Sequence, residues 1–493
     1  MGAAGTGTGR RVVLGPFNRV EGDLEVRLDV ADGRVRRAEV CAPMYRGFEA
    51  MLTGRDPHDA LVIVPRICGI CSVSQSVAAA RALAGLAGVS PPPNGQRALN
   101  LMLATENLAD HLTHFYLFFM PDFAHPGYAD RPWHGEVARR FEAMTGLHAR
   151  AAVAARQRWF TVLGTLGGKW PHTHSLQPGG STRAVEPAER IRLLARLREF
   201  QGFVEDTLFG APLDEVNALE TPAQLAAWHA ADPLRGDLRA FLTIAADLGL
   251  HRLGPGPGRL LSHGSYPAAD GTPWLAAGLW DTGTAALQPL DLATLTEDAT
   301  HAWLAGSGTD AAHPWQGRTE PLADKPGAYT WNKAPRLAGR VVETGALARQ
   351  LVAGHPLLQA LVARDGGSTV ATRVLGRLLE IARVLPAMVQ WLTALQPAEP
   401  YCVAAPLPAQ GRAAGLAEAA RGALGHWVQV ADGRIANYQI VAPTSWNFSP
   451  RDAAGTPGAL EAALEGVPVD GAMPLAVQHV VRSFDPCMVC TVH

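Results

Sequence analysis

Two short stretches decide how this chain is read: RICGICSVSQS, Arg66 to Ser76, and DPCMVCTVH, Asp485 to His493. Each holds a Cys-x-x-Cys, Cys68 with Cys71 and Cys487 with Cys490. The second pair is followed three residues later by His493. Such pairs fit a redox dithiol or a structural four-cysteine zinc site. Zinc ribbons keep their pairs within tens of residues, whereas Cys71 and Cys487 stand 416 residues apart. A site drawn from both ends of a chain points to a functional centre assembled by the fold.

The rest of the composition narrows the setting. The 493 residues are 47% hydrophobic and 18% charged, ample for a large core. A net charge of −2 gives no electrostatic case for nucleic acid or an anionic membrane. Six cysteines are too few for a disulfide scaffold, and Cys41 and Cys402 stand alone. No apolar run approaches the ~18 residues of a membrane span, and the start, MGAAGTGTGR, is a polar leader rather than a signal peptide. Its Gly2 and Thr6 meet the myristoylation pattern only formally. The expected location is the cytoplasm, unless a partner carries an export signal for both.

Apolar alternation around Asp32-Gly33 and again around Asp432-Gly433 predicts two hairpins. Glu21 then sits near the start of a strand. Ser74–Ala87 is alanine-rich and helical, and SPPPNG at 90–95 breaks it. A long helix is expected from Gln96 to Met120, ended by Pro121. Two more long helices are expected over Pro132–Leu163 and Pro187–Leu208. Residues 250–335 read as short strands and loops, and Ala346–Leu395 as mostly helical. With no repeat and no linker, the expectation is one large α+β domain over 1–493. It would have long central helices, small peripheral sheets and a flexible leader at 1–10.

Together the two cysteine motifs resemble the R-x-C-G-x-C and D-P-C-x-x-C-x-x-H signatures of [NiFe]-hydrogenase large subunits. The resemblance continues through NRVEGDLEV (Asn18–Val26), YRGFEAMLTGRDP (Tyr45–Pro57), PHTHSLQPGG (Pro171–Gly180), TWNKAPR (Thr330–Arg336), ARGALGHW (Ala420–Trp427) and NYQIVAPTSWNFSPRD (Asn437–Asp452). It implies a large-subunit fold and a nickel ion bound by all four cysteines. Cys68 and Cys487 would be terminal ligands. Cys71 and Cys490 would bridge to an iron carrying two cyanides and one carbon monoxide. Thiolates suit such a soft or borderline metal. His493 would close the mature chain, either after removal of an extension or in a relative encoded without one.

The same resemblance assigns the surroundings. Arg421 would face the open metal position, with Asp110 and Asp485 supporting it. Thr444 would donate a hydroxyl to a cyanide, and Leu424 would wall the carbon monoxide. Ala420 stands where the family has proline, which should loosen the local backbone. Glu21 would carry the proton away beside Cys487, with a pKa raised by burial near sulfur. Glu49, His493 and a backbone carbonyl near Ile440 would hold a magnesium or iron ion, completed by waters. Glu106, Asp110 and His114, four apart, share one helix face and with His111 suggest a buried polar network or a partner interface. His172 matches a position near the partner's cluster.

Beyond the four motif cysteines the chain lacks ligands for iron–sulfur clusters, so a cluster-carrying small subunit is implied, across an extensive interface. The physiological role divides between a hydrogen sensor of low turnover and an energy-conserving uptake enzyme. A non-redox subunit related to respiratory complex I is disfavoured because all four cysteines remain. Gln75 stands where standard enzymes have histidine. Ile70 and Phe118 replace the smaller valine and leucine, and the chain ends at His493. These features favour the regulatory, sensing group. With that role come a histidine kinase and a dimer of heterodimers as further partners.

Overall fold

The computed structural model describes residues 9–471 and 474–493, so most of the expected leader, with Gly2 and Thr6, lies outside the described residues. Both Asp-Gly hairpins form. Asp32 and Gly33 have φ of 54° and 68°, and Asp432 and Gly433 have 51° and 71°. These are the positive angles a tight two-residue turn demands at both positions. The first turn joins Glu25–Ala31 to Arg34–Cys41, with Arg10–Leu14 on the outer edge. The second joins Gly422–Ala431 to Arg434–Val441, with Gly411–Ala419 completing another three-stranded antiparallel sheet. Within the first, Val26, Leu28 and Val30 are buried while their neighbours are half-exposed, the period-2 pattern of a sheet with one covered face.

The helix Ser72–Ala87 lies against the second sheet. Its alanines keep the surface flat, and Gly415 lets the strand come close. A Cβ at Gly415 would sit 1.9 Å from the Ala78 carbonyl oxygen. The helices Pro93–Thr113 and Val370–Thr393 pack on each other through the middle of the molecule. A four-stranded sheet built on Arg259–Pro267 and Pro273–Asp281 fills much of the 250–335 region. Residues 346–395 form the helices Ala346–Val352, Pro356–Asp365 and Val370–Thr393. The architecture is the expected α+β one.

Three helix expectations are corrected in detail. The long helix begins at Pro93, where a missing N–H is harmless, rather than Gln96. Its α-form ends at Thr113, then widens into a π-turn over His114–Phe119 and tightens into a 3-10 turn over Met120–Ala124. Pro121 therefore starts a turn instead of stopping the helix. The expected Pro132–Leu163 helix is three pieces, His134–Phe141, Leu147–Trp159 and Thr161–Gly167. The first break holds Met144 at φ 68° and Gly146, whose added Cβ would lie 2.5 Å from the Arg140 carbonyl oxygen. Pro187–Phe203 ends in a π-turn over Val204–Phe209.

Candidate metal centre

The two cysteine pairs arrive on different supports. Cys68 is extended, and Cys71 leads directly into Ser72–Ala87. That helix start is capped from another helix: the Glu106 carboxylate accepts the Val73 and Ser74 N–H groups at 2.8 and 2.9 Å. Trp170 Nε1 also donates to Glu106, at 3.0 Å. Cys487 precedes only the four-residue helix Met488–Thr491. It is held instead by a bridge to Glu21. The Glu21 N–H donates to the Pro486 carbonyl at 3.4 Å, and the Met488 N–H donates to the Glu21 carbonyl at 2.7 Å. Glu21 thus lies against the final motif rather than inside a regular strand.

Arg46 ties the two supports together, a role the sequence reading missed although it quoted YRGFE. Its guanidinium donates to the Ile67 carbonyl beside the first pair, to the Arg66 carbonyl at 3.2 Å and to the Val489 carbonyl at 3.3 Å inside the second. The Arg46 N–H donates to the Val492 carbonyl at 3.2 Å.

The four motif sulfurs converge. All lie within 4.8 Å of one another and all are buried. Cys68 and Cys487 approach to 3.4 Å, Cys71 and Cys490 to 3.0 Å, and Cys487 and Cys490 to 3.1 Å, without a disulfide. Hydrogen bonds from the neighbouring thiols bring the Cys68 thiol well below its usual pKa, with Arg421 assisting. Four sulfur donors in one buried pocket fit a soft or borderline cation, and a nickel–iron centre on Cys68, Cys71, Cys487 and Cys490 suits that donor set.

Around the sulfurs, Arg421 occupies the two-residue turn between Gly411–Ala419 and Gly422–Ala431. Its Nη1 meets Asp110 at 2.7 Å, its Nη2 meets Asp485 at 3.1 Å, and its Nε donates to the Asp485 carbonyl at 3.1 Å. Burial pushes the Asp110 carboxyl up to about 8, against the pull of Arg421. Burial also resists ionisation of Asp485, but Arg421 and its neighbours hold it below the usual range. The Thr444 hydroxyl accepts the Cys487 N–H at 3.3 Å, leaving its own hydrogen free to donate. Leu424, fully buried, sits three residues after Arg421. The half-buried Glu21 carboxyl is raised, first by burial and then by the Cys68 charge.

Two of the residues expected around a second ion, Glu49 and His493, lie together. Glu49 Oε1 lies 3.2 Å from His493 Nε2 and accepts the Ile440 N–H at 2.7 Å. Ile440 thus meets Glu49 through its N–H. Lys333, from TWNKAPR, was not foreseen. Its ammonium stands 3.6 Å from Glu49 and 3.2 Å from Glu297. It also donates to the Gln439 side-chain oxygen at 2.8 Å. Burial would raise the Glu49 carboxyl, yet Lys333 and His493 bring it down to about 2. Glu49, Glu297, Thr319, Lys333 and His493 line a cavity of about 20 Å³, room for one water-sized species. A carboxylate and an imidazole there can contribute two ligands to a hard cation, with Lys333 competing for the carboxylates.

The polar helix face resolves into a buried network. Glu106 caps Ser72–Ala87, Asp110 pairs with Arg421, His111 Nε2 lies 3.2 Å from Glu380, and His114 Nε2 lies 2.7 Å from the Arg482 carbonyl. Gln75 reaches Cys490 Sγ at 4.0 Å through Nε2 and meets His426 Nε2 at 2.8 Å through its oxygen. Tyr438 OH lies 2.8 Å from the other ring nitrogen of His426. The Ile70 N–H donates to Cys68 Sγ at 3.3 Å, so Ile70 adjoins a motif sulfur. Phe118 lies half-buried in the π-turn, its carbonyl bound by Arg19 at 3.0 Å. His172 is half-buried, its Nδ1 3.0 Å from the Pro65 carbonyl.

Comparison with known proteins agrees with this geometry. The family model described as nickel-dependent hydrogenase matches residues 46–131 and 141–493. The periplasmic [NiFeSe] hydrogenase large subunit of Desulfomicrobium baculatum is 31% identical over 98% of this chain and 95% of its own length. The Hydrogenase-2 large chain of Escherichia coli (strain K12) is 27% identical, covering 98% and 97%. The solved Ni-Fe-Se hydrogenase from D. vulgaris Hildenborough superposes with a TM-score of 0.84 at 29% identity, covering 98% of this chain and 100% of that one. No helix among the described residues is long and apolar enough to cross a membrane. A converging four-cysteine site, its flanking charges and matches over nearly the whole length make this chain a member of the nickel-dependent hydrogenase family, as a large subunit.

Proposed function

We propose that this subunit activates hydrogen at its four-cysteine centre as a hydrogen sensor, in a complex with a small subunit that carries iron–sulfur clusters. The observation that carries hydrogen activation is the convergence of four buried sulfurs beside one buried arginine and one half-buried carboxyl of raised pKa. When bound, the nickel–iron group would supply the site that polarises hydrogen. Arg421, fixed between Asp110 and Asp485, would keep a positive charge and unsatisfied hydrogen-bonding capacity beside that site. Thr444 would offer a hydroxyl donor to a cyanide on iron, and Leu424 would exclude water from the carbonyl side. Glu21 would accept the released proton and pass it outward, its carboxyl raised above the ordinary glutamate range by burial. Glu49 and His493 would hold a magnesium ion that joins the final motif to the strand of Ile440.

Electrons need a route that this chain lacks. Cys41 and Cys402 are free thiols outside the four-sulfur group. Relatives named as large subunits favour a small-subunit partner. The sensing reading rests on Gln75, an amide at Cys490 where standard enzymes carry an ionisable imidazole, together with Ile70 and Phe118. A histidine kinase and a dimer of heterodimers would follow from it, in the cytoplasm. The competing reading, an uptake enzyme, is favoured by the names of relatives such as the uptake hydrogenase large subunits of Rubrivivax gelatinosus and Cupriavidus necator. The test is to purify the complex from its own host. Nickel, iron, and cyanide and carbonyl infrared bands establish the centre. Slow turnover with co-purifying kinase supports sensing. Fast hydrogen oxidation coupled to a respiratory acceptor, without kinase, would replace it with the uptake role.

A further inference from the structure

Arg349 is fully buried in the helix Ala346–Val352 and spends all five N–H donors. Nε and Nη2 hold the two oxygens of Glu380 at 2.9 and 2.7 Å. Nη1 donates to Glu418 at 2.8 Å and to the Ala419 carbonyl at 2.7 Å. Nη2 donates also to the Ala420 carbonyl at 3.2 Å. The two carboxylates are themselves anchored. Glu418 accepts the His263 N–H at 2.7 Å, and Glu380 faces His111, the neighbour of Asp110. The last two carbonyls belong to the turn whose next residue is Arg421. On its far side, Gly422 has φ 127°, and a Cβ there would lie 2.2 Å from Thr344 Oγ1 and 2.6 Å from the Gly345 N. Residues 344–349 therefore grip the turn from both sides.

We infer that Arg349 is the positioning residue for Arg421. Ala420 lacks the ring that would fix its φ, and the Arg349 guanidinium, locked by two carboxylates, fixes the same two peptide groups from outside. The backbone that Ala420 was expected to loosen is thereby clamped. Lysine could keep the charge between Glu380 and Glu418 but could not span both carbonyls with a planar fork.

The inference rests on the proposed role of Arg421 beside the metal ligands, so both variants are needed. In the metal-loaded complex, Arg421→Lys should move the cyanide infrared bands. Arg349→Lys should move and broaden the same bands, with nickel and iron content kept. Hydrogen–deuterium exchange should fall about 10²-fold, the scale of a misplacement near 1 Å. Adding Ala420→Pro to Arg349→Lys should sharpen the bands again. A merely structural role for Arg349 would lower yield or metal loading while the loaded fraction kept parent bands. That pattern, or unchanged bands and exchange in Arg349→Lys, overturns the inference when Arg421→Lys does move the bands. If Arg421→Lys leaves them unmoved, the reading of Arg421 fails instead.

Discussion

The two Cys-x-x-Cys pairs share a spacing and differ in how they are held. The first stands at the head of a 16-residue helix whose N-terminus is capped by a buried carboxylate. The second precedes a four-residue helix and depends on distant backbone: Glu21, Thr444 and Arg46. One pair is carried by a long helix, the other mainly by contacts from elsewhere in the chain. The contacts that hold the second pair also lie beside the four sulfurs. Glu21 supplies both a backbone bridge and a carboxyl.

The comparison breaks most completely at the sulfurs. Cys68→Ser and Cys487→Ser should each abolish nickel binding and all hydrogen activity, since a hydroxyl is a harder and largely protonated donor. Metal analysis and hydrogen–deuterium exchange check this. Equal loss from both ends would show that the differently supported halves are equally required, whereas nickel retained with full turnover in either would remove that cysteine from the centre.

Glu21→Gln separates the backbone bridge of Glu21 from its carboxyl. The backbone bridge to Cys487 survives, so nickel and iron should load normally. The exchangeable carboxyl is gone, and solvent exchange should drop by about 10²–10⁴-fold, the range of a lost general acid–base. An exchange rate equal to the parent's would mean that the proton leaves by another group.

What the sequence disclosed follows the same division. The cysteines, Arg421, Asp485, Glu49 and His493 sit inside short motifs and Asp110 on the polar face of a helix, and the structure brings each set together. Alternation around two Asp-Gly turns was enough for both hairpins, because that pattern and its φ requirement are local. The supports were illegible for the opposite reason. Lys333 meets Glu49 across 284 positions, and Glu106 caps a helix more than thirty residues upstream. Arg349 clamps carbonyls about seventy residues on. No periodicity connects such partners. The broken 132–163 helix hid a left-handed Met144, a residue type that gives no turn signal.

Glu106→Gln probes the half carried by the long helix. Burial raises the Glu106 carboxyl to about 7 although four hydrogen-bond donors pull it down. The folded state thus holds this proton where the unfolded state, near 4.5, has lost it. The folded state binds more protons in that window, so stability falls as pH rises from about 4.5 through about 7. The full swing is at most about 3 kcal/mol. Glutamine mimics the protonated acid and cannot titrate. Parent and variant should therefore have similar urea midpoints near pH 5, and the variant should gain on the parent by pH 8. A pH-independent difference would show that the cap does not titrate in this range.

Ile70 and Phe118 carry the smallest expected change in hydrogen turnover. Ile70 sits between the two cysteines of the first pair, with its N–H on Cys68 Sγ. Phe118 lies where the long helix widens into a π-turn. Isoleucine adds a methylene to valine, and phenylalanine adds ring volume to leucine. Under the proposed sensing role the two side chains would narrow one gas passage, and in a close-packed interior each addition is felt. Oxygen is slightly larger than hydrogen, so a narrower passage excludes it more strongly. A sensor that must report hydrogen in air gains from that at the expense of speed. The double variant Ile70→Val, Phe118→Leu should keep hydrogen activity within a few-fold, because packing losses of about 1 kcal/mol at Ile70 are tolerable. It should become inactivated under air, read as loss of hydrogen oxidation over time. If parent and double variant lose activity in air at the same rate, the two residues are there for packing alone.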